Sequence, residues 1–168
     1  MEVAFHYKSK NPTELRVQKF EKKLGLSLPN AFRKYLLTGN IGSTPVEDWC
    51  YRIGKPGKLD SMKEWEEALV DVFCSIKELD DNYKDMSSAE RERGWLPNEM
   101  IAIGDGPGGN HLLICIDGEH TGKVYFWAND LFETEDAHDE MVPGYNNICF
   151  VANNFDEFIE GLYIFEDD

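Results

Sequence analysis

Apolar positions along the chain recur with two different periods, and the switches between them mark out the elements. Val17, Phe20 and Leu24 fall three and four residues apart, while Lys19, Lys22 and Lys23 point the other way, the pattern of an amphipathic helix. Asn11, Pro12 and Glu14 supply its start: a capping side chain, a proline at the first helical position and an acid reaching back to the cap. Gly25 ends it, so the spacing predicts a helix over 12–24. Leu28 and Pro29 open a second, shorter helix in which Phe32, Tyr35 and Leu36 share a face, before TGNIGSTP breaks it.

The longest periodic run comes later. Trp65, Leu69, Val72, Ile76, Leu79 and Tyr83 step by four and three, which predicts a core-facing helix over 62–83 capped by Ser61. The run is too short for a coiled-coil seam. Elsewhere the period is two. WCYRI at 49–53 reads as a strand closed by the turn GKPG, and Met100 to Ile103 as a strand entering a glycine-rich stretch. Residues 111–117 and 123–127 form a hairpin joined through Gly118 and Gly122. Leu112, Ile114 and Ile116 alternate there with Leu113 and Cys115, so both faces are covered and the strand is central. Alternation also puts Tyr125 and Trp127 on one face, in the core. ICFVA at 148–152 is a last strand, and Asn154 with Glu157 caps a terminal helix over 154–163 lined by Phe155, Phe158, Ile159 and Leu162. There is no internal repeat and no linker. The expected fold is α+β: one domain over 1–168, with a mostly antiparallel β-sheet packed against several helices.

The stretch GDGPGGN at 104–110 poses a chemical question, because glycine-rich loops cradle phosphates. A phosphate loop needs a helix N-terminus behind it and usually a lysine. This one carries Asp105 and runs into a strand. It reads as a tight strand connection, with glycine supplying positive φ and with Asp105 and Asn110 hydrogen-bonding the turn backbone.

Charge adds what periodicity cannot. The net charge is −15, and it is unevenly placed: from Gly94 onward there is one base, Lys123, against 16 acids, while the first 93 residues balance. Such a field repels nucleic acid and anionic membrane and steers basic partners. Asp130, Glu133, Glu135, Asp136, Asp139 and Glu140 crowd one segment without a Lys or Arg among them. No apolar run approaches the roughly 20 residues of a membrane helix, and the first 15 residues have no signal-peptide apolar core. A soluble, cytoplasmic protein is expected, and its four cysteines, Cys50, Cys74, Cys115 and Cys149, are expected to be reduced core thiols.

Taken in order, four pieces resemble the SUKH superfamily. In LGLSLPNAFRKYLLTGNIG these are Leu28, Pro29, Phe32, Tyr35, Leu36, Asn40 and Gly42; around the glycine turn, Asp105, Gly109 and Asn110; in GKVYFW, Val124, Tyr125 and Trp127; and in VANNFDEFIEGL, Phe155, Phe158 and Leu162. Ile41 stands where the family pattern has the first glycine of an Asn-Gly-Gly segment, and Asn153 with Asn154 where a serine is common. The resemblance, from about Leu15 to Leu162, implies a binding domain without catalysis. It implies in particular a bacterial immunity protein that neutralises a polymorphic toxin domain, or alternatively a regulator or scaffold of the fungal cell-wall type.

With the acidic half, the implied partner is a basic toxin domain, and the partner-binding residues are Asp105, Asp130, Glu133, Glu135, Asp136, Asp139 and Glu140. The competing chemistry is a metal-binding enzyme, since His111, His120 and His138 lie near Asp105, Asp117, Asp136 and Asp139. No pair stands at helical spacing in a metalloprotease-type motif, DAHDE lacks the glycine and ligand order of a calcium loop, and no serine or cysteine sits in a nucleophile motif. No metal, no cofactor and no catalytic residue are expected.

Overall fold

The structure is a computed structural model, and it describes residues 3–60, 64–83, 96–129 and 145–166. Its elements run β1 (Phe5–Lys8), α1 (Glu14–Leu24), α2 (Asn30–Thr38), β2 (Gly42–Pro45), β3 (Trp49–Gly54), β4 (Glu64–Leu69), β5 (Val72–Phe73), α3 (residues 76–83), β6 (Met100–Gly106), β7 (Asn110–Cys115), β8 (Val124–Trp127), β9 (Ile148–Ala152), α4 (Phe155–Glu160) and β10 (Tyr163–Ile164). Seven strands form one antiparallel sheet in the order β1-β2-β5-β6-β7-β8-β9, and β10-β3-β4 form a second. The fold is α+β and antiparallel, as the pattern predicts.

Alternation divides the large sheet cleanly. Ile101, Ile103, Leu112, Ile114, Phe126, Cys149 and Val151 turn one way and join Val17 and Phe20 of α1, Phe32 and Leu36 of α2, Ile76 and Leu79 of α3 and Phe155 and Phe158 of α4 in the main core. An aromatic group binds its middle: Phe155 lies 5.1 Å from Phe32, 4.9 Å from Tyr35 and 5.5 Å from Phe158, centroid to centroid. Met100, Ala102, Leu113, Cys115, Tyr125, Trp127, Ile148 and Phe150 turn the other way and form a second buried cluster with Leu59 and Leu96. Strand β7 is thus central and covered on both faces, Tyr125 and Trp127 are core, and all four cysteines are buried free thiols.

Helix boundaries follow their caps. The first helix starts two residues later than its proline implies, because Thr13 accepts from the Arg16 N–H at 3.3 Å and serves as the N-cap in place of Asn11. Glu21 then fastens α1 to α2, taking hydrogen bonds from the Leu28 amide at 2.9 Å and from Arg33 at 3.1 Å. At the other end of the chain, Asn154 accepts from the Glu157 amide at 2.9 Å, the predicted cap of α4, which is shorter than 154–163 because β10 comes after it.

The predicted helix over 62–83 is the one large error. Residues 64–69 are strand β4, 72–73 are β5, and helix begins only at residue 76, while Ser61 lies outside the described residues. Pairing decides this: β4 satisfies its backbone against β3 from Cys50↔Leu69 to Gly54↔Glu64, and after a bend at Val70 and Asp71 the chain pairs with β2 and β6 in the large sheet. A true cap stands at the helix start, where the Ser75 amide donates to Glu78 Oε2 at 2.6 Å and the Glu78 amide to Ser75 Oγ at 3.3 Å.

Candidate functional site at the β6–β7 end of the sheet

Residues Gly104 to Asn110 connect β6 to β7 through a single turn of 3-10 helix at Pro107–Gly109. Gly108 and Gly109 both have φ of 77°, a conformation that L side chains resist. Asn110 closes the turn, donating from Nδ2 to the Pro107 carbonyl at 2.8 Å. The turn leads into strand β7, so no helix dipole stands behind it to hold a phosphate.

Asp105 does something other than the expected turn bond. In the β6–β7 register it stands opposite His111, and its Oδ1 lies 2.7 Å from His111 Nδ1. His111 is opposite Trp127 in β8 and stacks on its indole at 5.2 Å with the rings 25° apart. The sheet therefore presents a cross-strand row of carboxylate, imidazole and indole: Asp105 is 40% exposed, His111 19% and Trp127 buried. Held at both its ring face and its Nδ1, the imidazole is a fixed part of this surface.

Asp130, Glu133, Glu135, Asp136, Asp139 and Glu140 lie outside the described residues, as does His138. The residues that flank this stretch are described. On the outgoing side, the Asn129 amide donates to Asn110 Oδ1 at 3.0 Å and Asn129 Nδ2 to the Gly108 carbonyl at 3.4 Å. On the return, Asn147 donates to the Ala128 carbonyl at 2.9 Å, and the Ala128 amide to the Asn147 carbonyl at 3.0 Å. Asn147 is buried to make that bond. Asn129 and Asn147, which flank the acidic segment in the chain, are thus both fixed at the sheet end that carries Asp105.

The remaining site histidine of the described part is elsewhere. His120, in the β7–β8 turn at the opposite end of β7 from His111, lies 3.5 Å from Asp60 and 3.2 Å from Glu119. Lys123, the lone base of the acidic half, is hydrogen-bonded to Asp60 and holds that carboxyl below the usual range. Among the described residues no three His, Cys, Asp or Glu side chains are grouped as metal ligands. No helix among them is long and apolar enough to cross a membrane.

A helix over 62–83 would hide one feature of this end. A groove runs between β4 and the β6–β7 turn, lined by Glu66, Glu67, Ala68 and Leu69 on one side and by Gly106, Pro107 and Asn110 on the other, over Ile53 and Phe126. The signal that could have found it is Ser75-Ile76-Lys77-Glu78, a capping box that starts a helix at 75 and leaves 64–73 to another structure.

An antiparallel sheet packed against capped helices, with an Asp-containing glycine turn between two of its central strands, defines the class as an α+β domain. Comparison gives the particular family: residues 11–161 match the model of the SMI1 / KNR4 family (SUKH-1), and the chain belongs to that family. A search of curated proteins finds no match.

Proposed function

We propose that this chain is a non-catalytic, cytoplasmic immunity protein that binds and neutralises a cognate polymorphic toxin domain of basic character. It needs no cofactor and takes neither nucleic acid nor membrane as partner. Membership of the SUKH-1 family supports protein binding in general. The observation that carries the finer reading is that Asn129 and Asn147, the described residues flanking the acidic stretch, are both bonded at the sheet end where Asp105 is exposed. The proposed partner-binding residues are Asp105, Asp130, Glu133, Glu135, Asp136, Asp139 and Glu140, all acidic. Like charges at that density repel by up to about 1 kcal/mol per neighbouring pair in water, a cost that a cationic partner reverses. Most of the gain appears as faster, salt-sensitive association.

The experiment is co-expression and binding with toxin domains encoded beside the gene. Protection from toxicity and a stoichiometric complex are expected; no protection by any of them overturns the reading. Changing Glu133, Glu135, Asp136 and Asp139 to Gln or Asn should leave stability unchanged or slightly raised. It should slow association at least several-fold at low salt, and an unchanged rate removes the segment from the partner surface.

A further inference from the structure

We infer that the groove between α1 and α3 is a docking site for an acidic segment of a partner protein. The segment inserts an apolar side chain between carboxylates that meet Arg16 and Lys19. This surface is opposite in charge to the one proposed above and shares no residue with it, so its occupant does not depend on the immunity reading.

Charge is segregated within the chain. Residues 8–34 hold eight bases against two acids, Glu14 and Glu21, although acids outnumber bases 32 to 17 overall. Arg33 takes both of those acids, donating to the two carboxylate oxygens of Glu14 and to Glu21 Oε1 at 3.1 Å. Helix α1 therefore turns Arg16, Lys19, Lys22 and Lys23 to solvent with no acid of its own left to pair them. Lys23 reaches across to Asp80 of α3, while among the described residues Arg16 and Lys19 make no ion pair.

The groove is lined by Arg16, Lys19, Phe20 and Lys23 of α1 and by Ile76 and Asp80 of α3. Positions 16, 19, 20 and 23 recur at three and four, so they share one face of the helix. Phe20 and Ile76 are buried and close the floor, and the aliphatic stems of Arg16 and Lys19 form a wall whose charged ends reach water. The Lys23–Asp80 pair bridges the two helices at one end, with Lys23 6.0 Å from the Tyr83 ring centroid, and neutralises the acid in the lining. What remains along the groove is two cations one helical turn apart over an apolar floor. At about 190 Å³ the space is smaller than the roughly 300–1,000 Å³ that encloses a small ligand, so it takes a side chain of something larger. A carboxylate beside each cation and an apolar residue between them is the complement. Nucleic acid offers the charge without the apolar group, and a net charge of −15 repels a long polyanion. Exposed cations also serve simply as a solvated face, and the test separates the two roles.

The probe is a fluorescein-labelled peptide, SEEFEES, whose affinity for the full chain is measured by anisotropy at low salt. It is compared with a double variant, Arg16→Gln with Lys19→Gln, and with Lys34→Gln, which removes an exposed charge of the same basic stretch outside the groove. Expected are binding to the parent, a loss of roughly fivefold or more in the double variant, and a loss of less than about twofold in Lys34→Gln. The parent should also bind SEEFEES several-fold more tightly than SEEGEES, which keeps the charge and lacks the aromatic side chain, and this arm needs no protein variant. Absence of binding to the parent, a Lys34→Gln loss as large as that of the double variant, or equal affinity for the two peptides overturns groove docking. So does an oligothymidylate strand that binds more tightly than SEEFEES and loses as much in the double variant, because the surface would then read phosphate rather than an acidic segment.

Discussion

Asn110→Ala tests how the glycine turn is coupled to the acidic segment. The side chain makes two hydrogen bonds at once, donating to the Pro107 carbonyl at 2.8 Å and accepting from the Asn129 amide at 3.0 Å. Each is worth about 0.5–1.5 kcal/mol net, so alanine costs about 1–3 kcal/mol, toward the lower end because Asn110 is only half-buried and water replaces part of the loss. For a chain of 168 residues that lowers Tm by roughly 2–12 °C. Urea unfolding followed by fluorescence should show a reduced midpoint with an unchanged slope, since no extra surface is exposed. Amide hydrogen exchange gives the local half of the measurement: protection of the Asn129 amide should fall in Asn110→Ala and survive in Asn110→Asp, which keeps the acceptor but loses the donor to Pro107. An Asn129 amide as protected in Asn110→Ala as in the parent would refute the coupling, whatever happens to the midpoint.

Two further outcomes test the core and the alkaline limb. Phe155→Ala empties the centre of the aromatic group, where Phe155 is 1% exposed, and should cost about 3–5 kcal/mol in urea unfolding; a loss below about 1 kcal/mol would mean that the group is not packed as described. The Tyr145 hydroxyl donates to Glu99, and that carboxylate, with burial, pushes the phenol up to about 12. A folded-state value above the unfolded one means that its stabilisation is intact below about pH 10 and is lost as pH rises toward 12, so Tyr145→Phe should flatten the alkaline fall in stability measured from about pH 9 to 12.

Much of the frame is legible because burial writes itself into periodicity. The β7–β8 hairpin, β9, α2 and α4 all bury one or both faces, and their apolar residues stand at the matching period. The short strands β1, β2 and β10 escape for the converse reason. In β1 only Phe5 is buried and Tyr7 is 71% exposed, so the strand exists through backbone pairing with β2 and leaves no pattern in side chains. The start of α1 is displaced by two residues because Asn11 and Pro12 carry the same local signal as Thr13. The site divides likewise: the glycine turn and Asn110's role in it are readable, but the Asp105–His111–Trp127 row depends on a three-strand register that no local motif encodes.

The segment from 64 to 83 shows where local preference yields to pairing, and the place is informative. Glu, Ala and Leu favour helix, and Trp65, Leu69, Val72, Ile76, Leu79 and Tyr83 fit one helical stripe, yet only the last three lie in helix. A helix through 64–73 would leave the far side of β3 unpaired from Cys50 to Gly54 and remove the strand between β2 and β6. The lost ladder bonds outweigh roughly a few tenths of a kcal/mol of propensity per residue. Between β4 and β5 the chain passes from the small sheet to the large one, and a groove lined by Glu66, Glu67, Ala68 and Leu69 with Gly106, Pro107 and Asn110 lies beside that junction. Sequences tend to keep such a conflict between local and global preference where the resulting shape is used. Here the conflict falls at the crossing between the two sheets, where pairing with β3, β2 and β6 overrides the helical stripe.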